Sequence, residues 1–239
     1  ATRLHVFADV AKFLHHTESA LAFYEAAGDT RNMLILRGTV GAYWALIGRV
    51  DFAENQVRKN IITSEKAGFV PGVWISRNVL ARILVLTNRK LSEAREWLTQ
   101  AVIRYAAINH LSWLVQIKLD LALIDVLESK LPSAETALRE LLAMQENNEY
   151  LKSRIGIPMA ALARVCLHLG RTEEALTLAR RAAGCSPRGG PPLFSGWHHL
   201  PRLVLLECLA ACGPKEEAQA EAAAAMSWLS GWVQGIPNE

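Results

Sequence analysis

The stretch "LGRTEEALTLARRA", residues 169–182, reads as a short turn running into an amphipathic helix. The same order of turn, polar residues and alanine occurs in "IGRVDFAENQ" at Ala53, "NRKLSEAREW" at Ala94, "ESKLPSAETAL" at Ala134 and "CGPKEEAQAE" at Ala218; the opening stretch supplies Ala175. Each alanine stands five residues after a turn position, held by Gly48, Arg89, Ser129, Gly170 and Gly213. The intervals between alanines are 41, 40, 41 and 43 residues. A fainter copy, "HHTESALAFY", puts Ala20 in the same role 33 residues before Ala53. Six units at a nearly fixed period predict a stacked array.

Each unit divides into two helices. A long apolar segment precedes the turn, as in "LSWLVQIKLDLALIDVL", and an amphipathic one follows, as in "AETALRELLAMQENNEY". Apolar residues recur three and four apart, for example Leu138, Leu141 and Leu142. No strand-like alternation persists. Gly48, Gly170 and Gly213 suit the left-handed backbone that often ends a helix. Pro132 and Pro214 suit a helix start. Glu173 and Glu174 place acid at an N-terminus. The alanine lets two helices cross closely. A small residue twelve earlier matches it: Gly41, Ala122 and Ala163, with Leu206 in the last unit and a one-residue shift onto Ala81 in the second full unit. The expected fold is all-α: a right-handed superhelical solenoid of stacked antiparallel hairpins. It forms one array over 1–239, with units near 1–28, 29–68, 69–109, 110–150, 151–190 and 191–233.

The turn, the alanine and the small residue before it resemble the tetratricopeptide repeat (TPR), whose strict form has 34 residues. The longer units here resemble the extended-repeat arrays of bacterial STAND-class signalling ATPases and maltose-activator-type transcription regulators. That resemblance covers almost the whole chain. It implies an array that senses a small molecule or a protein within a larger regulator; the reduced thiols add the expectation of a cytoplasmic protein, and the missing catalytic motifs that of one without catalysis or cofactor. The N-terminus lacks an initiator methionine and a signal-peptide pattern, and the expectation is an excised domain of a longer chain.

Composition agrees with a folded protein: 51% hydrophobic and 21% charged, with a net charge of only +3. That charge argues against direct nucleic-acid binding. No apolar run is long enough for a membrane span. Four cysteines in 239 residues are not a disulfide framework and read as reduced thiols. No phosphate loop or nucleophile elbow appears; "RGGPP" at 188–192 has no lysine. Cys208 and Cys212 share a predicted helix with His198 and His199, but the pairs lie about 14 Å apart, too far for one tetrahedral metal unless the helix breaks near Pro201.

Seven tryptophans stand out. Trp74, Trp113 and Trp197 each sit near the start of a first helix with a basic residue shortly after: Arg77, Lys118 and Arg202. Arg37 takes the basic position without the tryptophan, Met159 replaces it in one unit, and Arg154 lies about a turn upstream. One reading is a ladder along a concave groove, formed by Arg37, Trp74, Arg77, Trp113, Lys118, Arg154, Trp197 and Arg202. It would bind a protein or peptide partner, or a small-molecule effector, through bidentate arginine and flat indole faces. The other reading sends these charges to glutamates on neighbouring helices. Binding would be relayed to other modules of the parent chain. The alternative function is a structural scaffold for protein assembly. The break "AAGCSPRGGPPLFSGW" (182–197) is either a connector or a loop over the groove with Phe194 as a contact, and Pro158 and Pro201 kink or start their helices.

Overall fold

The computed structural model describes residues 10–152, 154–185, 197 and 199–233; for 10–14, 228 and 231–233 it describes the backbone alone. The regular structure among them is entirely helical. The expected loop contact Phe194, His198 and the side chains of Trp228 and Trp232 lie outside the described residues. The described residues open with α1 (Val10–Ala26), which holds the place of a second helix. Then α2 (Thr30–Leu46) precedes α3 (Val50–Lys66), α4 (Val70–Leu86) precedes α5 (Leu91–Ala107), and α6 (Leu111–Leu127) precedes α7 (Leu131–Glu146). A single turn, α8 (Glu149–Lys152), leads to α9 (Gly156–His168) and α10 (Thr172–Cys185), and α11 (Leu200–Cys212) precedes α12 (Lys215–Val233).

The described residues divide into two compact units within α6, one running to Ile117 and the other from Lys118. In the first, α2, α3 and α4 pack on one another and α4 packs on α5. In the second, α9 packs against α7, α10 and α11, and α11 against α10 and α12.

The repeat alanine is the fourth residue of every hairpin's second helix. Ala53, Ala94, Ala134 and Ala175 expose 0% of their surface, as a close crossing requires. Ala218 in the final hairpin is partly exposed. Ala20 is not in this register: α3 ends thirteen residues after Ala53 and α1 ends thirteen after Phe13, so Ala20 lies seven residues too late. The small residue of the first helix does what the spacing implies. A Cβ added at Gly41 would stand 2.2 Å from Val57 Cγ2. The shift onto Ala81 also has a local cause. The α4–α5 turn holds four residues, Thr87 to Lys90, where three link α2 to α3, α6 to α7 and α9 to α10. Asn88 and Lys90 both take positive φ there, 51° and 46°.

Gly48 and Gly170 adopt the left-handed backbone, with φ 90° and 76°. Gly213 does not: it is extended, with φ −90° and ψ 172°. Pro214 follows it, and a residue before proline is driven toward extended backbone by its clash with the ring. Pro158 and Pro201 are the third and second residues of their helices, so they start α9 and α11. A buried polar link ties the first hairpin to α4. Asn60 Nδ2 donates to the Leu34 carbonyl at 2.8 Å and to Ser76 Oγ at 2.9 Å, and Ser76 donates to the Gly72 carbonyl at 2.8 Å. No helix among the described residues is long and apolar enough to cross a membrane.

Candidate functional site

The predicted basic column exists, and at three of its positions it points to second-helix glutamates. Arg77 Nη2 donates to Glu65 of α3 at 2.9 Å. Arg37 Nη2 lies 4.0 Å from Glu25 of α1. In both cases the glutamate stands twelve residues before the arginine, so the two pairs are the same contact in successive units. Arg202 reaches forward instead: its Nε lies 2.7 Å from Glu221 of α12, and Nη1 donates to the Ala224 carbonyl at 3.2 Å. The residue twelve before Lys118 is Ala106, so the acid of the pattern is missing there and Lys118 stays half-buried. Arg154 lies in the turn between α8 and α9, its guanidinium carbon 5.8 Å from the Tyr150 ring centroid.

Around Arg77 the first unit builds an alternating stack. The Arg77 guanidinium carbon lies 4.3 Å from the Trp97 centroid and 5.4 Å from that of Trp74. Arg104 lies 5.4 Å from the Trp74 centroid. The order is indole, guanidinium, indole, guanidinium, with α4 supplying the middle pair and α5 the ends. A cation above an indole face is attracted by the ring quadrupole, the more so as water is excluded. Arg77 Nε is buried with no acceptor within hydrogen-bond range. Two carboxylates touch the stack: Glu65, about half exposed, at Arg77, and Glu93, which accepts from the Trp97 Nε1 at 3.5 Å. Trp113 belongs to a neighbouring cluster, stacked on Tyr105 at 5.8 Å and 24°. The buried Tyr105 hydroxyl accepts from Asn78 Nδ2 at 3.2 Å. Burial pushes the Tyr105 phenol up, so it stays neutral.

Trp197 is different. It exposes only 8% of its surface, and its indole Nε1 donates to the fully buried Asp120 Oδ1 of α6 at 2.7 Å. The residue leading into α11 is thereby anchored 77 positions back in the chain. The next described residue, His199, has its ring 6.3 Å from the Trp197 ring. Burial first, and then the Arg164 charge, push the His199 imidazole down, which favours its neutral form at pH 7. Arg164 of α9 grips Glu207 of α11 with a bidentate pair, Nε to Oε2 at 2.8 Å and Nη2 to Oε1 at 2.7 Å. Among the described residues, no group of three or more His, Cys, Asp and Glu side chains could hold a metal. The Cys212 thiol meets backbone instead, 3.2 Å from the Cys208 carbonyl.

The most regular electrostatic feature of the molecule lies on its second helices. Glu54 and Arg58 of α3 form a box with Glu93 of α5 and Lys90 of the turn before it. Arg58 Nη1 and Nη2 donate to the two Glu93 oxygens at 2.8 and 2.9 Å, Arg58 Nε donates to Glu54 at 3.0 Å, and Lys90 Nζ donates to Glu54 at 2.7 Å. Glu135, Arg139, Arg171 and Glu174 repeat the box between α7 and α10. Arg139 donates to Glu174 at 2.6 Å and to Glu135 at 2.9 Å, and Arg171 donates to Glu135 at 2.6 Å. Arg180 and Glu217 form half of it between α10 and α12. In every case the arginine is five after a repeat alanine and the receiving glutamate is one before the next. These pairs hold the carboxylates below their usual range: Arg58 does so for Glu93, Arg171 and Arg139 for Glu135, and Arg139 for Glu174. Burial pushes Glu54 up, but Lys90 and Arg58 outweigh it and the net direction is down. Scanning charge by repeat register, rather than by neighbourhood along the chain, would have exposed this pattern in the sequence.

No family model and no curated protein matches the sequence. Solved structures do resemble the fold. One consists of nearly identical TPR-like repeats of a Podosopora anserina protein described as a kinesin light chain. It is 20% identical, with a TM-score of 0.54 over 84% of this chain and 96% of that one. Another is BtubC (BKLC) from P. vanneervenii, 17% identical, with a TM-score of 0.58 over 100% of this chain and 96% of that one. At these identities the likeness shows the fold, a TPR-like array of helical hairpins.

Proposed function

We propose that the chain is a protein-interaction module, an array of hairpins that presents side chains to a partner. The observation that supports this most directly is the Trp97–Arg77–Trp74–Arg104 stack. It concentrates on the surface of one hairpin the residue types, tryptophan and arginine, that dominate binding hot spots. The TPR-like neighbours agree with a scaffold role. The finer reading follows from the sequence resemblance: a sensing and docking array of a larger bacterial signalling or transcription regulator, cytoplasmic, acting without catalysis or cofactor and without touching nucleic acid itself. Of the eight predicted ladder residues, Trp74, Arg77, Trp113 and Lys118 remain candidates for contact. Arg37, Arg154, Trp197 and Arg202 contribute by positioning helices.

The test has two arms. Cross-linking of the purified chain in extract, identification of the captured protein and reconstitution from pure components should give a stoichiometric complex. A screen of sugars, nucleotides and short peptides by melting temperature reads out the sensor role, because a ligand that binds only the folded state raises the midpoint by mass action. A reconstituted complex without any small-molecule response selects the scaffold. A small-molecule response without a partner selects the sensor, and failure of both arms overturns the proposal.

A further inference from the structure

We propose that α12 is the contact surface for a second copy of this chain, the two α12 helices packing antiparallel about a two-fold axis. This surface shares no residue with the tryptophan–arginine stack, so the inference goes beyond the protein-interaction reading and does not rest on it. The repeat register carries it. On every second helix, the residues one, four, eight and eleven after the repeat alanine stand three and four apart and share one face. On α3, α5, α7 and α10 no described residue of this stripe is exposed. On α12 all four are: Gln219, Ala222, Met226 and Leu229. In the other units the cover is the first helix that comes next. A Cβ added at Gly72 of α4 would stand 2.7 Å from Oγ of Ser64, the last stripe residue of α3, and Tyr105, the last of α5, stacks on Trp113 of α6. Likewise α9 packs on α7, and α11 on α10. The face that repeats as core elsewhere is thus open on α12, with Met226 63% and Leu229 43% exposed, as interaction surfaces are.

Charge selects the occupant. The stripe is uncharged, and so is all of α12 from Ala222 to Val233. The acids closest to it are engaged inside the fold, Glu217 by Arg180 and Glu221 by Arg202. Where α3, α7 and α10 carry the arginine that takes the next glutamate, α12 has Ala223. Such a face suits an apolar mate that brings no charge to the contact, and a second α12 meets that requirement. Full antiparallel overlap of Lys215–Val233 centres on residue 224 and sets Ala222 of one copy opposite Met226 of the other, small against large. It also sets the charged start of each helix, 215–221, opposite the uncharged 227–233 of its mate. Parallel packing would instead bring like acids together. The overlap runs over 19 residues, about 28 Å. Leu203 of α11 widens the open flank: it is 41% exposed, whereas Met159, also tenth from the end of its helix in α9, is 3% exposed. A self-complementary patch of this kind closes at two copies.

The experiment is sedimentation equilibrium of the purified chain over a range of concentrations. The mass should rise reversibly from the 26.4 kDa of one chain to twice that value. Met226→Glu and Ala222→Lys each place a charge at the centre of the contact and should raise the dissociation constant of the dimer by about tenfold or more, the cost of spoiling a hot-spot position. Both residues already face water in the single chain, so circular dichroism should show both variants folded. An equimolar mixture of the two should recover the dimer, because antiparallel overlap sets lysine opposite glutamate. Ile62→Glu, at a comparably exposed apolar residue of α3 (52%), should change nothing. A chain that stays monomeric at every concentration overturns the proposal. So does a dimer indifferent to Met226→Glu and Ala222→Lys, or one weakened equally by Ile62→Glu. Failure of the mixture to recover the dimer overturns the antiparallel arrangement. None of these results bears on the capture of a different protein, which tests the protein-interaction reading separately.

Discussion

Gly41→Ala tests whether close helix crossing, rather than helix propensity, selects the small residue of each hairpin. In an ordinary helix interior this change stabilises by about 1 kcal/mol, because alanine loses less backbone freedom than glycine. Here the new methyl would sit 2.2 Å from Val57 Cγ2 and 3.4 Å from Val79 Cγ1. Ordinary contact begins near 3.4 Å, so Val57 must retreat by about 1.2 Å, the difference between the two distances. Val57 has no exposed surface and is β-branched, so it cannot swing aside by changing rotamer. Overpacking of this kind costs about 1–3 kcal/mol. A clash with a stiff buried partner belongs at the upper end. The net destabilisation is about 2 kcal/mol, the upper overpacking cost less the propensity gain. For a chain of this size that lowers the melting midpoint by about 4–8 °C. Gly184→Ala in α10 is the control, because nothing lies within 4 Å of its added Cβ, and it should be neutral or slightly stabilising. Val57→Ala in the Gly41→Ala background should recover part of the loss. The assay is urea unfolding followed by circular dichroism. A Gly41→Ala midpoint above wild type, matching the control, would refute the crossing argument.

Other consequences are equally checkable. Trp197→Phe keeps an aromatic ring of smaller size but removes the donor to the buried Asp120, and should cost about 1.5–3 kcal/mol in urea unfolding, the range for hydrogen bonds to charged groups; a loss near zero would show that the bond is not a brace. Glu54, Glu93, Glu135, Glu174 and Glu217 all titrate below the ordinary glutamate value of 4.5 in the folded chain, held down by their basic partners. The unfolded chain therefore takes up protons first. The stability from these groups is present above 4.5 and is lost as pH falls through the folded values. Unfolding midpoints should hold from neutral pH to about 5 and decline steadily below it, as carboxylate linkage requires; a flat profile to pH 3 would contradict the ion-pair boxes. Burial pushes the Cys166 and Cys208 thiols up to about 11, while Cys185 and Cys212 are exposed. A thiol reagent at pH 8 should modify two cysteines quickly and the other two only on unfolding, and fast labelling of all four would count against the packing of α9 and α11.

The hairpin architecture was legible because its signals are local and repeated. A turn, a cap and an alanine at fixed offset state the same instruction five times, so one weak copy does not hide it. Gly213 shows where a local rule failed: glycine permits the left-handed region, but Pro214 overrides it. The candidate site was legible only in part. The column through Arg37, Arg77 and Arg202 was visible, yet its direction was not, since spacing along one helix does not say which neighbour a long side chain will meet. Glu65 and Glu25 become its partners through stacking. Trp97 and Arg104 escaped notice because they lie on the second helix, outside the column being followed. Asp120 could not be tied to Trp197 by any offset within one unit.

The ion-pair boxes also determine which hairpins could be transplanted. Glu54 and Arg58 present to the following helix the same charges as Glu135 and Arg139, and Lys90 with Glu93 answers them as Arg171 with Glu174 does. A chimaera that sets the α9–α10 hairpin directly behind α3 would thus keep all four charges in complementary order. The α6–α7 hairpin in that place would bring Lys130 and Ser133, so the rung from Arg58 would be left without its acid. Charge at these offsets works as an address label, and shuffled libraries of these units should sort by it.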